Sequence, residues 1–301
     1  MSVPPPWTGM TFTSKLHSTP PPSLMPSNQS LPVPFVVAII GASRNIGAAT
    51  AKAFVQAGAT GIILTATHGS AALHQTKAEV EAAASFSELN VTIIAADVGD
   101  TSSAKPIADM IASTFGRLDL LVNNAAILST NESAFNKLGA IDISQIQKTM
   151  EVNFIGKFNV IQTLLPLLLN TERGAKTIVN MTSAMSHFAS PGSIGYDISE
   201  LATNRLTEAV AEAYGAEGVL AYAVHPGIVA TMPLPIGMAP EARTMAVDDL
   251  GLCGAFLVWL VKEKREWLSG RYMSANWDVE ELESKKDAIV NGDQLKMRLV
   301  V

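Results

Sequence analysis

Six consecutive apolar residues, Phe35-Val36-Val37-Ala38-Ile39-Ile40, open the regular part of the chain, and four of them are β-branched. A strand with no polar alternation is one covered on both faces. Gly41 to Gly47 breaks the run as a turn, and 48–57 predicts a helix stopped at Gly58. The alternation then recurs. Strands are predicted at 61–65, 91–96, 118–123, 176–181 and 219–224. Helices are predicted at 71–84, 102–115 with Ser102 as cap, 144–169, 198–214 and 248–261. Strands and helices taking turns at these lengths give an α/β fold, a doubly wound parallel sheet with helices on both faces in a single domain. Ligands of such sheets bind beyond the carboxyl ends of the strands.

Residues 1–34 follow no such period. Nine of the sixteen prolines fall there, and Lys15 is the one Asp, Glu, Lys or Arg among them. Proline fixes φ and removes an amide donor, which excludes a helix or an inner strand. Trp7, Phe12, Leu16 and Leu24 give the stretch side chains to dock with, so it reads as an arm laid over the body rather than a free tail.

Composition narrows the class. Of 301 residues, 48% are apolar and 16% charged, enough for a core and too little charge for a solvating chain. A formal charge of −6 with no basic stripe argues against nucleic acid as a partner. The single cysteine, Cys253, excludes an internal disulfide, and nothing has the spacing of a zinc site. The longest apolar-plus-glycine run, 250–261, is short of the ~20 residues that span a bilayer. The amino terminus lacks the charged start and apolar stretch of a secretory signal. A soluble cytoplasmic protein is expected.

The chemistry gathers at strand ends. Gly41-Ala42-Ser43-Arg44-Asn45-Ile46-Gly47 lies directly between a strand and a helix. Glycines there let the backbone approach a pyrophosphate, and the helix amino terminus offers it free N–H groups. Asn45 stands where a third glycine is common. Asparagine tolerates positive φ better than other side chains, so the loop still forms.

With this loop and the segments that follow, the chain resembles the short-chain dehydrogenase/reductase family over about 35–272. Asp97-Val98 looks like the site that holds the adenine ring, and Asn123-Asn124-Ala125-Ala126 like the family's Asn-Asn-Ala-Gly with its glycine replaced. Asn153 matches the helix asparagine that organises a proton-relay water. Ser183 precedes Tyr196 by thirteen residues, a spacing common in the family. Pro226-Gly227-Ile228-Val229-Ala230-Thr231 looks like the segment facing the nicotinamide. The tail 270–301, with Asn276-Trp277-Asp278-Val279, is similar to that of fungal members, many of which act in specialised metabolism.

The resemblance implies a Rossmann-like domain over 35–275, with the arm 1–34 before it and an extension 276–301 after it. It implies a catalytic set of Tyr196, Ser183 and Asn153, with Glu200 beside them. It implies a nicotinamide cofactor on Gly41, Ser43, Arg44, Asn45, Ile46, Gly47, Thr67, Asp97, Val98, Asn124, Ala125, Tyr196, Pro226, Gly227, Val229 and Thr231, and no metal. It also implies a homodimer or homotetramer built on the helices 144–169 and 198–214. An acid at the end of the second strand would bind a ribose hydroxyl and repel a 2′-phosphate. Thr65-Ala66-Thr67-His68 holds none, and Arg44 can pair with a phosphate, so NADP(H) is favoured over NAD(H).

One position departs from the family. Tyrosine is followed there by lysine four residues later, and here Glu200 takes that place. Residues four apart share a helix face. A carboxylate in place of an ammonium removes the attraction that stabilises tyrosinate, so Tyr196 is expected to be a poor base. A neutral phenol still donates a proton, which leaves reduction of an apolar, carbonyl-bearing small molecule as the leading expectation. Non-redox chemistry with Glu200 or Asp197 as base, and a non-catalytic binding role, are the alternatives.

The remaining candidates rank lower. Lys157 reads as a solvated helix lysine rather than a substitute cation. His187 reads as a loop histidine at the rim, His225 as structural, and Cys253 as inert core. Met232, Met238 and Met245 fall in a proline-interrupted segment, 231–247, which the resemblance implies is a substrate lid; their thioethers suit a bulky apolar ligand or, equally, pack the segment onto the body. The run 262–266 reads as a solvated mixed-charge face.

Overall fold

The structure is a computed structural model that describes residues 8–188 and 193–299. Trp7 lies outside the described residues. Seven strands form one sheet in the order β3-β2-β1-β4-β5-β6-β7, every neighbouring pair parallel. They are β1 (Val36–Ile40), β2 (Gly61–Ala66), β3 (Asn90–Ala95), β4 (Leu120–Asn123), β5 (Thr177–Met181), β6 (Leu220–His225) and β7 (Arg271–Ser274). All five residues of β1 are buried, as its unbroken apolar run requires. One core lies on each face of the sheet. Phe54, Phe256 and Trp259 belong to one, Ile107, Ile111 and Leu164 to the other.

Helices α1 (Asn45–Gln56), α2 (Ala71–Ala82) and α3 (Ala104–Thr114) connect the first four strands. Ser103, not Ser102, holds the cap position of α3, and Ser102 donates instead to Asp100. The predicted helix 144–169 is three pieces: α4 (Ile143–Met150), a π-helical turn (Glu151–Gly156) and α5 (Lys157–Asn170). By length and composition the whole run could cross a membrane, yet only half of its most apolar window is open, the rest being packed into this fold. The next helix, α6 (Ile194–Tyr214), begins four residues earlier than expected and so carries Tyr196 in its first turn. The last long helix, α7 (Leu252–Val261), begins four residues later than expected. Asp248 is extended and bridges Val229 instead.

Three further elements had no sequence signal: β7, α8 (Val279–Ser284) and α9 (Lys286–Asn291). The chain from β7 through α8 makes a platform for residues 8–17. Phe12 lies on Trp277 with ring centroids 4.9 Å apart, and Leu16 bridges Trp277. His17 pairs with Asp278 at 2.9 Å, and Ser14 donates to Glu281 at 2.9 Å. The run 262–266 is not a uniformly solvated face. Arg265 is buried, sits 4.1 Å over the Trp259 ring and pairs with Glu283 at 3.1 Å.

Candidate functional site

The strand order reverses between β1 and β4, and chain leaving these two ends forms the expected crevice. Gly41 and Ala42 donate their amides to the Thr65 carbonyl at 3.1 and 2.7 Å, and Asn124 donates to the Gly41 carbonyl at 2.6 Å. Thr76 fixes the Ser43 carbonyl from α2 at 3.0 Å. Gly41 sits at φ +84°, and a Cβ there would lie 2.8 Å from the Cα of Ala125. A Cβ on Gly47 would run into the Gly41 carbonyl and lie 2.8 Å from the Asn124 amide nitrogen. Asn45 takes φ +52°, the conformation its side chain tolerates. Ile46 and Gly47 follow in the first turn of α1, where amide groups have no helical acceptor.

The other predicted contact residues surround this loop. Arg44 is exposed and makes no ion pair with any described residue. Thr67 is exposed just past β2. Asp97 follows β3, its carboxylate accepting from Gly99 at 3.0 Å, and Val98 beside it is buried. Past β6, Gly227 sits at φ +91°, and a Cβ would come 2.6 Å from Asp248. Asp248 accepts from the Ile228 amide at 2.6 Å and from the Asn276 side chain at 2.8 Å. That clamp holds Pro226, Gly227 and Val229 at the sheet edge, with Thr231 exposed beyond them. Asp248 and Asn276 were not foreseen as site residues, because their importance lies in a contact across 28 positions.

Ser183 follows β5 and is buried; its Oγ accepts the Met185 amide at 3.2 Å. Tyr196, across from it on α6, has its pKa pushed well above the tyrosine range. Burial is the main cause and Glu200 the second, while a hydrogen bond with Ser183 pulls the other way. The structure thus brings Ser183, Tyr196 and Glu200 together. Asn153 is behind them, and its amide is spent on protein. Its Oδ1 accepts from the Ile127 amide at 2.8 Å, and its Nδ2 donates to the Ile127 carbonyl at 2.8 Å and to Ser199 at 3.0 Å. These bonds pin the loop after β4 to the π-helical turn.

Lys157 corrects a sequence expectation. It is not solvated but 3% exposed, and its Nζ lies 2.7 Å from the Met181 carbonyl and 3.4 Å from Oε1 of Glu200. The π-helical turn sets up this placement, since Gly156 abuts Val98 so closely that a Cβ would lie 2.6 Å from its carbonyl. Glu200 is 1% exposed, and its Oε2 has no hydrogen-bond partner. Desolvation pushes the Glu200 pKa up and the Lys157 pKa down, and each is partly held back by the other. As carboxylate and ammonium, or as acid and amine, the pair carries no net charge.

Burial, reinforced by Glu200, also moves Asp197 up to about 7. The unfolded chain releases this proton near pH 4 and the folded chain holds it to about 7, so through this group folding weakens as pH rises across that window. Asp197→Asn removes the penalty. Its melting temperature should match that of the unmodified protein near pH 4 and exceed it increasingly toward pH 7, as read by calorimetry in a pH series.

Further out, His187 is half-buried. Its Nε2 bonds the Thr8 carbonyl at 2.8 Å, its Nδ1 meets Ser186 at 2.9 Å, and its ring meets Tyr272 edge-on at 4.9 Å. His225 is buried, accepts the Ala184 amide at 3.3 Å and is moved down to about 4 by desolvation. Cys253 is buried in α7, its thiol pushed up to about 12. In the segment 231–247, Arg243 holds the Ala230 and Met232 carbonyls, Met232 and Met238 are half-buried, and Met245 is exposed.

The arrangement fits a dinucleotide on three counts. The glycine elbow leaves no room for side chains, Arg44 has an unused guanidinium, and Glu200 presents an unpaired, buried acceptor one helical turn from the phenol. Residues 35–234 match the family model described as short chain dehydrogenase. The chain is 40% identical over 299 residues to short chain dehydrogenase pgmD of Aspergillus terreus, covering 97% of this chain and 95% of that one. It is 38% identical to short chain dehydrogenase mpl6 of Monascus purpureus, over 99% of both. Among solved structures, a dehydrogenase/reductase from Sinorhizobium meliloti superposes with a TM-score of 0.68 at 23% identity, over 84% of this chain and 96% of that one. A short chain dehydrogenase from Shigella flexneri complexed with NADP gives 0.71 at 21%, over 82% and 99%.

Proposed function

Because the chain belongs to the short-chain dehydrogenase family and is an oxidoreductase of CH–OH and C=O groups, we propose that it works as an NADP(H)-dependent reductase of an apolar, carbonyl-bearing small molecule in specialised metabolism. The observation that carries the direction is the phenol of Tyr196. Burial and the neighbouring carboxylate keep it protonated at neutral pH. A protonated phenol donates to a carbonyl oxygen that is gaining charge and is a poor acceptor for an alcohol proton.

When bound, the nicotinamide supplies hydride. Gly41, Ser43, Asn45, Ile46 and Gly47 would bind its pyrophosphate, Arg44 and Thr67 the 2′-phosphate, and Asp97 and Val98 the adenine. Asn124 and Ala125 back the loop. Pro226, Gly227, Val229 and Thr231 would face the nicotinamide. Ser183 orients the substrate oxygen and Tyr196 gives it a proton. Glu200 offers Oε2 to a hydroxyl, and Asn153 holds the loop that walls the site rather than the substrate itself. The absence of an acid at 65–68 and the free Arg44 support NADP(H) over NAD(H). The lid methionines support an apolar substrate. The same reading treats 1–34 as an arm, 35–275 as the catalytic domain and 276–301 as an extension, in a cytoplasmic enzyme.

Fluorescence titration of the purified protein tests the cofactor, and loss of NADPH absorbance with a panel of aryl and alkyl ketones and aldehydes tests the reaction. NADPH should bind about ten-fold more tightly than NADH, a difference of ~1.4 kcal/mol. Absence of NADPH binding would remove the proposal.

A homo-oligomer is part of it. Ile155, Phe158, Ile198 and Leu201 are 41–49% exposed on the π-helical turn, α5 and α6. Each helix sets its two three residues apart, on one face. Phe158→Glu should convert a dimer or tetramer to monomer in light scattering, and an unchanged mass would refute this interface.

A further inference from the structure

The helix that carries Tyr196 has a carboxylate, not a cation, one turn further on, and the cation arrives from the neighbouring helix. Lys157 reaches it from α5 as a buried side chain that lines a small cavity with Ile40, Val98, Asn123, Ala125 and Val160. Its ammonium is fastened at 2.7 Å to Met181, two residues before Ser183, and at 3.4 Å to Glu200. A lysine kept purely for packing would have no reason to end on a carboxylate whose other oxygen is left buried and unpaired. Resting on the reductase reading, we propose that Lys157 is a positioning residue for the active site. It offsets the charge of Glu200 toward a polyanionic cofactor and leaves one acceptor, Oε2, free.

The charged and titratable groups facing this pair are few. Tyr196 and Asp197 lie on α6 itself, Thr182 bonds the Glu200 carbonyl at 3.3 Å from beside β5, and Tyr272 of β7 acts on Tyr196. Asp197 titrates in the same range, so the test is run in an Asp197→Asn background. NADPH affinity is measured between pH 7 and 9, above the titration of its 2′-phosphate near pH 6.

With both partners present, affinity should change little across this window. Lys157→Met removes the cation, so wherever Glu200 ionises it does so with nothing to offset it, and the dissociation constant should rise about ten-fold as pH is raised and that anion forms. Glu200→Gln leaves Lys157 without a counter-charge, so its ammonium attracts the polyanionic cofactor: NADPH should bind more tightly than to the parent, and the advantage should shrink as rising pH takes the proton from Lys157. At pH 7 the two single variants therefore differ in sign relative to the parent: Glu200→Gln binds more tightly, Lys157→Met does not. The double variant, neutral throughout, should be flat. Thermal melting at each pH shows that the protein titrated is folded, and Glu200→Gln alone still decides the matter if Lys157→Met does not fold. Equal affinity in all forms at every pH, with only the melting temperature lowered, makes the pair structural and overturns the proposal. Failure of the parent protein to bind NADPH at all overturns the reductase reading instead, a separate result.

Discussion

Tyr196→Phe is expected to lower the rate of NADPH-dependent carbonyl reduction by about 10²- to 10⁴-fold, the range a positioned general acid contributes. The phenol lies beside Ser183 and has a proton to hand over at neutral pH, because burial and Glu200 keep it protonated. Ser183 can still hold the substrate oxygen, so KM should move less than kcat. Only the bond with Ser183 is lost, and the ring stays, so stability should change by about 1 kcal/mol. Turnover within a factor of two of the unmodified enzyme would show that the proton comes from elsewhere. Asp197, up at about 7 on the adjacent position of α6, would then be the group to examine.

The second large effect lies at the elbow. Gly41→Ala puts a methyl 2.8 Å from the Ala125 backbone, at a φ of +84° that costs an L-residue about 1–2 kcal/mol. Neither side can yield as a flexible side chain would, since backbone meets backbone. Adding ~1–3 kcal/mol for overpacking, the loss should be about 2–5 kcal/mol in chemical denaturation. The ends of β1 and β4 must separate to make room, and they frame the crevice, so NADPH affinity should fall at least about 100-fold, equivalent to ~2.7 kcal/mol. Gly139→Ala is the control. No atom lies within 4 Å of its added methyl, and both measurements should stay unchanged.

The inner strands were legible because burial on both faces writes itself as an unbroken apolar run, as in β1. β7 was not. Its four residues include Arg271, which is buried only because its side chain meets the Trp267 carbonyl and Asp293. The break in the helix 144–169 was equally hidden. The apolar pattern runs straight through it, and the π-helical turn is accompanied by bonds from Asn153 to Ile127, twenty-six positions away. The proposed catalytic pair Tyr196 and Ser183 came with the family resemblance and its thirteen-residue spacing, whereas Lys157, weighed as a substitute cation, read as solvated because most helical lysines are. The one available signal was Glu200 itself. A carboxylate on the inward face of a helix must find a cation or stay protonated, a burial cost that weighs Lys157 toward the substitute cation and away from solvent.

Residues 8–17 rest on residues 272–285, so that contact joins nearly the first described part of the chain to nearly the last. During synthesis Phe12 and Leu16 emerge long before Trp277 has been made, and at about 5–20 residues per second they wait many seconds for their counterpart. The nascent strap must stay tolerable to water in the meantime, which its prolines and its scarcity of strand-forming runs favour. Fastening it is then a late event. A chaperone or a wrong neighbour that captured those early side chains would leave Thr8 off His187, with the glycine elbow already formed.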